Sequence, residues 1–342
     1  MSRLRVAVIG AGNWGRNHVR TVATMPEAEL VAVCDSSTSR RDQLSRQYPG
    51  VLVTDDTERA MAAAEAVVIA TPAASHAALT RKAIERGLPV LVEKPFTLSI
   101  SDADELVELS SARNVPILVG HLLLFHPVID RLRTMIRNGE LGNVYYLYSQ
   151  RVNLGQVRPD ENALWSFGPH DISVALDLLG QAPVRVAAQG RSYLQRGIED
   201  VVFLTMEFAT GQLAHAQMSW LDPHKERRLT VVGSKKMVVF DDMQAREKLK
   251  VYDRGVDRPP EYGSYAESLT IREGDIAIPR VPTDEPLSLE LKHFIAVARR
   301  QAAPRIDAAS GAHIVRVLAA ASESLANQGR VVDLTPEPAR VS

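Results

Sequence analysis

The sequence lacks the features that mark several classes of protein. Its 342 residues include one cysteine, Cys34, so neither an internal disulfide nor a cysteine-based zinc site can form within the chain. No apolar run approaches the roughly 18 residues of a membrane span, and the first residues show no secretory leader. Lys and Arg (40) balance Asp and Glu (41), which leaves no basic excess for nucleic-acid binding. These absences predict a soluble, cytoplasmic protein that binds neither nucleic acid nor membrane.

Length and composition are those of a globular protein with a sizeable core. Hydrophobic residues make up 45% of the chain and charged residues 24%, which are ordinary values. At about 150 residues per domain the length favours two domains. A change of pattern near Gly120 predicts a dinucleotide-binding domain over residues 1–120 and a substrate-binding and oligomerisation domain over residues 121–342. This division is compatible with packing of the last helix against the first domain.

Short β-branched runs alternate with helical segments in the first part of the chain. Residues 5–9, 30–34 and 67–70 are such runs, and their continuous apolar character is typical of strands buried on both faces. Strands that are separated by helices of this length form βαβ units. The sequence therefore predicts an α/β, Rossmann-type, doubly wound parallel sheet.

The second part of the chain has a different pattern. Strand-like runs, for example residues 201–208 and 212–220, are separated by short turns, which favours antiparallel pairing. Residues 253–286 are expected to form an irregular loop, and two long helices are expected to end the chain. The sequence thus predicts an α+β domain with a large, mostly antiparallel sheet. Its strands are apolar on both faces, which predicts a homo-oligomer, either a dimer or a tetramer.

A glycine-rich turn is the first functional signal. Gly10, Gly12 and Gly15, with Asn13 and Trp14 between them, fit G-x-G-x-x-G after a strand and before a helix, the arrangement that cradles a dinucleotide pyrophosphate. Asp35 follows Gly15 by 20 residues, where a carboxylate binds the ribose hydroxyls. The carboxylate favours NAD as the cofactor, because it repels the 2′-phosphate of NADP. Two nearby arginines leave NADP open.

Glu93-Lys94-Pro95 is the second signal. The tripeptide follows a buried strand, at the sheet edge where doubly wound folds bind ligands. There Lys94 can give or take a proton beside a nicotinamide ring, and a cis bond before Pro95 would fix its approach. Three residues after the fourth strand are expected at the same edge, with the last opening a helix in contact with solvent: Thr71, Pro72 and His76.

Together these motifs resemble the glucose–fructose oxidoreductase/inositol dehydrogenase (Gfo/Idh/MocA) family over essentially the whole chain. The resemblance implies an NAD(P)-linked dehydrogenase that acts on the CH–OH group of a sugar or cyclitol, with Lys94 near the reacting hydroxyl and Glu93 among the cofactor-binding residues. It also implies a histidine in the second domain, for which His170 is the best match. Two aspartates that commonly flank this histidine are Ser166 and Ser173 here, which weakens the usual proton network.

The segment around His170 resembles one subgroup of that family, the nucleotide-sugar 3-dehydrogenases. The resemblance implies oxidation at C3 of a sugar such as that of UDP-N-acetylglucosamine. The implied substrate-binding residues, beside Lys94 and His170, are Arg151, Asn153, Arg158, Trp165 and Asp171. Asp171 is expected either to orient His170 or to cap a helix.

Other functions stay open from the sequence. A sugar 3-ketoreductase or an inositol dehydrogenase of the same family would use the same fold. A non-catalytic sensor of NAD or sugar is an alternative of another class, although Lys94 and His170 argue against it. His121 and His126 lack an acidic partner at ligand spacing, so no metal site is predicted.

Overall fold

The computed structural model describes residues 2–257 and 270–334. Its contacts divide the chain into two compact units. Unit 1 consists of the residues up to Phe125 together with Asp284–Arg316, and unit 2 consists of His126–Thr283 and the residues from Val317 onward. Each unit is described below by itself.

Unit 1 contains a six-stranded sheet in the order β3-β2-β1-β4-β5-β6. Every strand pair in it is parallel, which confirms the doubly wound prediction. The strands are β1 (Leu4–Ile9), β2 (Ala28–Cys34), β3 (Leu52–Thr54), β4 (Ala66–Ile69), β5 (Val90–Glu93) and β6 (Ile117–Gly120). The helices that connect them are α1 (Gly15–Thr24), α2 (Thr38–Gln47), α3 (Thr57–Ala62), α4 (His76–Glu85) and α5 (Ile100–Arg113).

Burial and capping explain these elements. β4, β5 and β6 are buried at every position, as expected where helices cover both faces of a parallel sheet. Ser37 caps α2 and Ser99 caps α5, each accepting a hydrogen bond from a backbone N–H in the first turn. Unit 1 also includes a helix from late in the sequence, α8 (Pro286–Ala298), which packs against α1.

Unit 2 contains a nine-stranded sheet in the order β14-β13-β12-β11-β7-β10-β9-β8-β15. All neighbours are antiparallel except β7 and β10, which are parallel. The strands are β7 (Val144–Val152), β8 (Pro183–Arg191), β9 (Val201–Phe208), β10 (Leu213–Ser219), β11 (Glu226–Gly233), β12 (Met237–Asp241), β13 (Leu249–Asp257), β14 (Thr270–Ala277) and β15 (Val332–Asp333). The predicted α+β domain with a mostly antiparallel sheet is confirmed.

Helices cover one face of this sheet. Unit 2 has α6 (Pro127–Arg137) and α7 (Ala163–Leu179), and α7 packs on β7, β9 and β10. The last helix, α9 (Ala308–Ala326), is divided by its contacts, with the part up to Arg316 in unit 1 and the part from Val317 in unit 2. Among the described residues, no helix combines the length and apolar character that crossing a bilayer requires.

The expectation of an irregular loop over residues 253–286 is wrong for residues 253–257 and 270–277, whereas residues 278–285 have no regular secondary structure, as expected. β13 extends through residues 253–257, and β14 covers Thr270–Ala277. The two strands pair antiparallel, with Val256 opposite Ile271. Glycines and prolines near these strands concealed their alternating pattern, and the pairing supplies backbone hydrogen bonds that local sequence does not reveal. Residues 258–269 of the expected loop lie outside the described residues.

Candidate active site

The carboxyl ends of four parallel strands bring the predicted cofactor residues to one edge of the unit 1 sheet. Gly10 follows β1, Asp35 follows β2, Thr71 lies just past β4 and Lys94 follows β5. β1 and β4 are neighbours at the centre of the sheet, where the strand order reverses direction. Doubly wound folds bind ligands in the crevice at this point.

The three glycines of the turn meet different surroundings. Gly10 has a φ of +90°, and a Cβ there would lie 2.7 Å from the carbonyl oxygen of Ala70. A Cβ on Gly15 would overlap the carbonyl oxygen of Gly10. Gly12, by contrast, would meet nothing within 4 Å. The chain's own packing therefore requires Gly10 and Gly15, whereas the open space at Gly12 fits the approach of a pyrophosphate.

Asp35 is buried against this turn. Its Oδ2 accepts a hydrogen bond from the backbone N–H of Ala11 and its Oδ1 accepts one from Ser37, both at 2.8 Å. A carboxylate has about four acceptor positions, so Asp35 keeps acceptor capacity for ribose hydroxyls. Arg40 Nη1 lies 3.5 Å from Oδ1, whereas Arg41 donates to the carbonyl oxygens of Asp35 and Ser36.

A cavity of about 440 Å³ adjoins the glycine turn within unit 1. Gly12 and Asn13 line it together with the side chains of Arg16, Arg20 and Arg40. The turn is thus open to a ligand on the side where α1 begins, and its positively charged surroundings suit an anion.

Glu93 lies at the end of β5, against the glycine turn and helix α1. Its carboxylate is buried, and Oε1 accepts hydrogen bonds from Trp14 Nε1 at 2.6 Å and from His18 Nε2 at 2.7 Å. Burial alone would raise the pKa of Glu93, but hydrogen bonds from His18 and Trp14, with the charge of Lys94, hold the pKa below its ordinary value. Glu93 therefore anchors the segment that carries Lys94 to helix α1.

His76 opens α4 as expected, but the expectation that it touches solvent is wrong. It is 1% exposed, because its ring fills the space between two loops. Nδ1 lies 2.8 Å from the carbonyl oxygen of Pro95 and Nε2 lies 2.9 Å from that of Thr71. Burial lowers the pKa of His76, although the two carbonyl contacts favour the charged ring. His76 thus links the loop after β4 to the Lys94–Pro95 peptide bond, which is cis.

Thr71 and Pro72 shape the loop after β4. Thr71 Oγ1 accepts a hydrogen bond from the Ser75 hydroxyl at 2.7 Å, and Pro72 precedes the short 3₁₀ turn of Ala73–Ser75. Both residues lie within the loop that faces the glycine turn, since the carbonyl of Ala70 is the group that Gly10 approaches.

In unit 2, helix α7 carries His170 and Asp171. Asn162 caps the helix by accepting from the N–H of Trp165, whose Nε1 donates to Ser322 at 3.0 Å. Asp171 lies in the helix interior, so the expectation of a capping role is wrong. Its two oxygens accept from Arg151 Nε at 2.9 Å and Nη2 at 3.2 Å, and both residues are buried.

The remaining predicted residues of unit 2 differ in their surroundings. Asn153 pairs through its N–H with the carbonyl oxygen of Ser219 just after β7. Arg158 is exposed and its guanidinium lies 2.9 Å from Glu161. Ser166 and Ser173 are both buried in α7. Ser173 donates to the backbone carbonyl of His170 at 2.9 Å, so it cannot act as the aspartate that the family resemblance led us to expect.

Sequence reasoning missed two residues near these positions. His18 lies one helical turn after Trp14, and that spacing in a predicted helix could have placed both side chains on one face. Arg227 on β11 lies opposite Arg151 on β7. No local signal pointed to Arg227, because its position depends on strand pairing between segments far apart in sequence.

Comparison with known protein families agrees with this geometry. Residues 4–121 match the model of the oxidoreductase family with an NAD-binding Rossmann fold (GFO_IDH_MocA). Residues 129–239 match the model of the GFO/IDH/MocA C-terminal domain. The two matches fall in the segments that form the parallel sheet and most of the nine-stranded sheet.

Individual relatives are similar over most of their length. A UDP-N-acetylglucosamine 3-dehydrogenase of Acidithiobacillus ferrooxidans is 28% identical over 266 residues, which are 76% of this chain and 80% of the relative. An inositol 2-dehydrogenase of Corynebacterium glutamicum is 28% identical over 225 residues, 63% of this chain and 67% of the relative. The crystal structure of an oxidoreductase from Magnetospirillum magnetotacticum MS-1 superposes with a TM-score of 0.79 at 32% identity, covering 93% of this chain and 99% of that one.

Proposed function

The chain belongs to the Gfo/Idh/MocA family of NAD-dependent oxidoreductases, and we propose that it transfers a hydride between NAD and a secondary hydroxyl of a sugar. The proposed substrate is a nucleotide sugar such as UDP-N-acetylglucosamine, oxidised at C3. The single observation that carries the proposal is the anchoring of Glu93 by Trp14. That bond holds Lys94, a proton-transfer residue, beside the turn that receives the cofactor.

The residues of unit 1 fit NAD. The open space at Gly12 and the free N–H groups at the start of α1 would hold the pyrophosphate, with Asn13 and Trp14 in the same turn. Asp35 would accept hydrogen bonds from the ribose hydroxyls and disfavour a 2′-phosphate. Thr71 and Pro72 would border the cofactor, and His76 would hold their loop in place. When bound, NAD supplies the hydride acceptor or donor.

Lys94 and His170 divide the proton chemistry in this proposal. Lys94 takes the proton from the substrate hydroxyl as the C–H bond gives up its hydride, and returns it to the alkoxide in the reverse direction. His170 is the second proposed catalytic residue.

The choice between the two substrates is argued from the similarity to the two relatives and from the polar residues of unit 2. The UDP-N-acetylglucosamine 3-dehydrogenase is 28% identical over 266 residues, and an inositol 2-dehydrogenase of Rhizobium meliloti is 26% identical over 268 residues, so the first has the higher identity over a match of nearly equal length. In unit 2, Arg151 lies on the sheet face that α7 covers, and Asn153 and Trp165 lie on adjoining segments. Inositol oxidation is the second candidate, supported by the similarity to the inositol 2-dehydrogenase.

Hydride transfer measured against a panel of substrates tests the proposal. Formation or consumption of NADH is followed by its absorbance with UDP- and dTDP-sugars, free N-acetylglucosamine and myo-inositol. We expect turnover with UDP-N-acetylglucosamine and a 3-keto product by mass spectrometry. Turnover with myo-inositol alone would favour the second candidate. NAD binding without hydride transfer to any compound would contradict an enzymatic role and favour a sensor.

We also propose that the chain forms a homo-oligomer through the open face of the unit 2 sheet. Large side chains are exposed there on three adjacent strands, where Tyr146 stacks on Tyr148 and Phe203 stacks on His215. Monomeric proteins rarely leave such a patch uncovered. A second copy of the same sheet would bury it by two-fold symmetry.

A further inference from the structure

Two arginines face each other across the centre of the unit 2 sheet. β7 and β11 pair antiparallel, and Arg151 is directly opposite Arg227. Residues that face each other in an antiparallel pair lie on the same side of the sheet. Since Arg151 reaches Asp171 on α7, both arginines lie on the helix-covered side. Like charges in this arrangement destabilise the sheet unless anions offset them.

The described anions nearby are already engaged. Asp171 accepts two hydrogen bonds from Arg151. Asp242, whose backbone N–H bonds to the carbonyl of Arg227, lies 2.6 Å from Lys248 Nζ and 3.5 Å from His126. Three cations, Arg151, Arg227 and Lys248, thus surround two carboxylates, which leaves one positive charge in excess.

Arg227 carries that excess charge. Within the part of the chain that the structure describes, its guanidinium makes neither a hydrogen bond nor an ion pair, and the residue is half-buried. Burial lowers the pKa of Arg227, and the charge of Arg151 lowers it further, against the opposing effect of Asp242 and Asp171. A half-buried guanidinium without a partner has lost part of its hydration without replacing it.

We propose that Arg227, beside the Arg151–Asp171 pair, binds an oxyanion of the substrate, either a phosphate or a sugar carboxylate. This inference rests on the proposed sugar substrate and narrows it to anionic sugar derivatives. A guanidinium presents a planar fork of N–H donors that matches a phosphate or carboxylate in a bidentate geometry. The bound oxyanion replaces the missing counter-charge. A neutral polyol such as inositol has no negative charge with which to balance Arg227.

The test compares two neighbouring arginines of one strand. Arg227→Gln removes the proposed ligand, and Arg227→Lys keeps the charge but not the fork. Arg228→Gln is the matched control, since Arg228 is exposed, lies opposite Gln150 on the other face and is 3.5 Å from Asp241. Binding of UDP and of glucuronate to the NADH-loaded protein is measured by calorimetry, beside KM and kcat for UDP-N-acetylglucosamine.

We expect Arg227→Gln to weaken oxyanion binding by about ten- to a hundredfold, from the strength of charge-assisted hydrogen bonds. KM should rise by a similar factor while kcat changes little, because the contact serves binding rather than the reacting bond. The oxyanion affinity of Arg227→Lys should lie between that of the parent and that of Arg227→Gln. Loss of UDP binding identifies a phosphate as the ligand, whereas loss of glucuronate binding alone identifies a carboxylate.

Three results would overturn the inference. They are unchanged binding of both probes in Arg227→Gln, an equal loss in Arg228→Gln, and no binding of either probe to the unmodified protein. Failure of the proposed function looks different, since it is the absence of hydride transfer to every sugar while UDP still binds through Arg227. Without ligand, Arg227→Gln should melt no lower than the parent, because it removes an uncompensated charge; Arg227→Lys extends the test should Arg227→Gln fold poorly.

Discussion

Trp14 donates its indole N–H to Oε1 of Glu93 at 2.6 Å, across 79 positions of sequence. The bond joins the glycine turn to the Glu-Lys-Pro segment, so that two sequence motifs form one structural unit. His18 donates to the same oxygen from the next turn of α1. A buried carboxylate with two such donors is firmly held. Movement of the glycine turn is therefore coupled to the backbone of Lys94.

Two of the three glycines of the turn, Gly12 and Gly15, should lose different properties when each is replaced by alanine. Gly12→Ala adds a methyl group to open space, so the fold should keep its melting temperature while NAD affinity falls by about tenfold or more. Gly15→Ala forces that group against the Gly10 carbonyl and should cost about 1–3 kcal/mol of unfolding free energy. Calorimetric NAD titration and thermal melts check both. Equal NAD affinity in Gly12→Ala and the parent would place the cofactor elsewhere.

Lys94→Ala should abolish most turnover and leave the cofactor bound. Loss of a general acid–base residue lowers kcat by about 10²–10⁴-fold, whereas the proposed NAD site consists of the turn and Asp35. The control is Lys82→Ala, which removes an exposed lysine that lies 3.4 Å from Glu58 on the surface of α4 and α3. Steady-state kinetics and NAD titration give the two readouts. Turnover near that of the parent in Lys94→Ala would exclude the proton-transfer role.

Glu290 should make stability fall as pH rises. It is fully buried on α8, and neither carboxylate oxygen has a hydrogen-bond partner among the described residues. Burial, with the charge of Glu93, raises the pKa of Glu290 well above its ordinary 4.5. The folded protein thus keeps a proton that the unfolded chain releases. The stability that this proton confers is complete below the unfolded pKa and is lost as pH rises towards the folded pKa.

Glu290→Gln should remove this loss, because its amide does not ionise. The melting temperature of the variant should increase relative to the parent as pH rises above the unfolded pKa of about 4. Glu285→Gln is the control of opposite sign, because a hydrogen bond from Arg20 lowers the pKa of Glu285. A parent-minus-variant difference that does not change with pH would show that Glu290 is ionised in the fold.

The buried Arg151–Asp171 pair should be sensitive to loss of either partner alone. Arg151→Met or Asp171→Asn leaves one uncompensated buried group and should cost about 3–5 kcal/mol. The double variant Arg151→Met/Asp171→Asn should cost less than the sum of the two single variants. Chemical denaturation of the parent, the two single variants and the double variant gives the four unfolding free energies of a double-mutant cycle. Additive costs would show that the two side chains do not interact.

Charge on the open sheet face should break the proposed oligomer. Tyr146 and Phe203 are both 42% exposed there, and two copies with glutamate at these positions would repel across the interface. We expect light scattering to show a multiple of 37.5 kDa for the parent and 37.5 kDa for Tyr146→Glu/Phe203→Glu. Leu98→Glu, an exposed residue of unit 1, should leave the mass unchanged. A monomeric parent at micromolar concentration would refute the proposal.

Much of unit 1 could be predicted because its signals are local. The apolar runs of β1 and β2, the glycine turn and Asp35 each lie within a short stretch of sequence, and short-range packing decides their conformation. The six-residue helix α3 was missed, since it has too few residues to show a helical period. The parallel pairing of β7 with β10 was also missed, because α7, β8 and β9 separate the two strands in sequence and no local signal reports such a distant pairing.

The amino-acid sequence by itself determined the fold class, the glycine-rich turn after β1 and the position of Lys94 after a buried strand. Each of these depends on the order of residues within a few turns or strands. Only the tertiary structure decided what Glu93, His76, Asp171 and Arg227 contact, since their partners lie far away in sequence. Burial and charge act through space, so the roles of such residues follow from which segments the fold brings together.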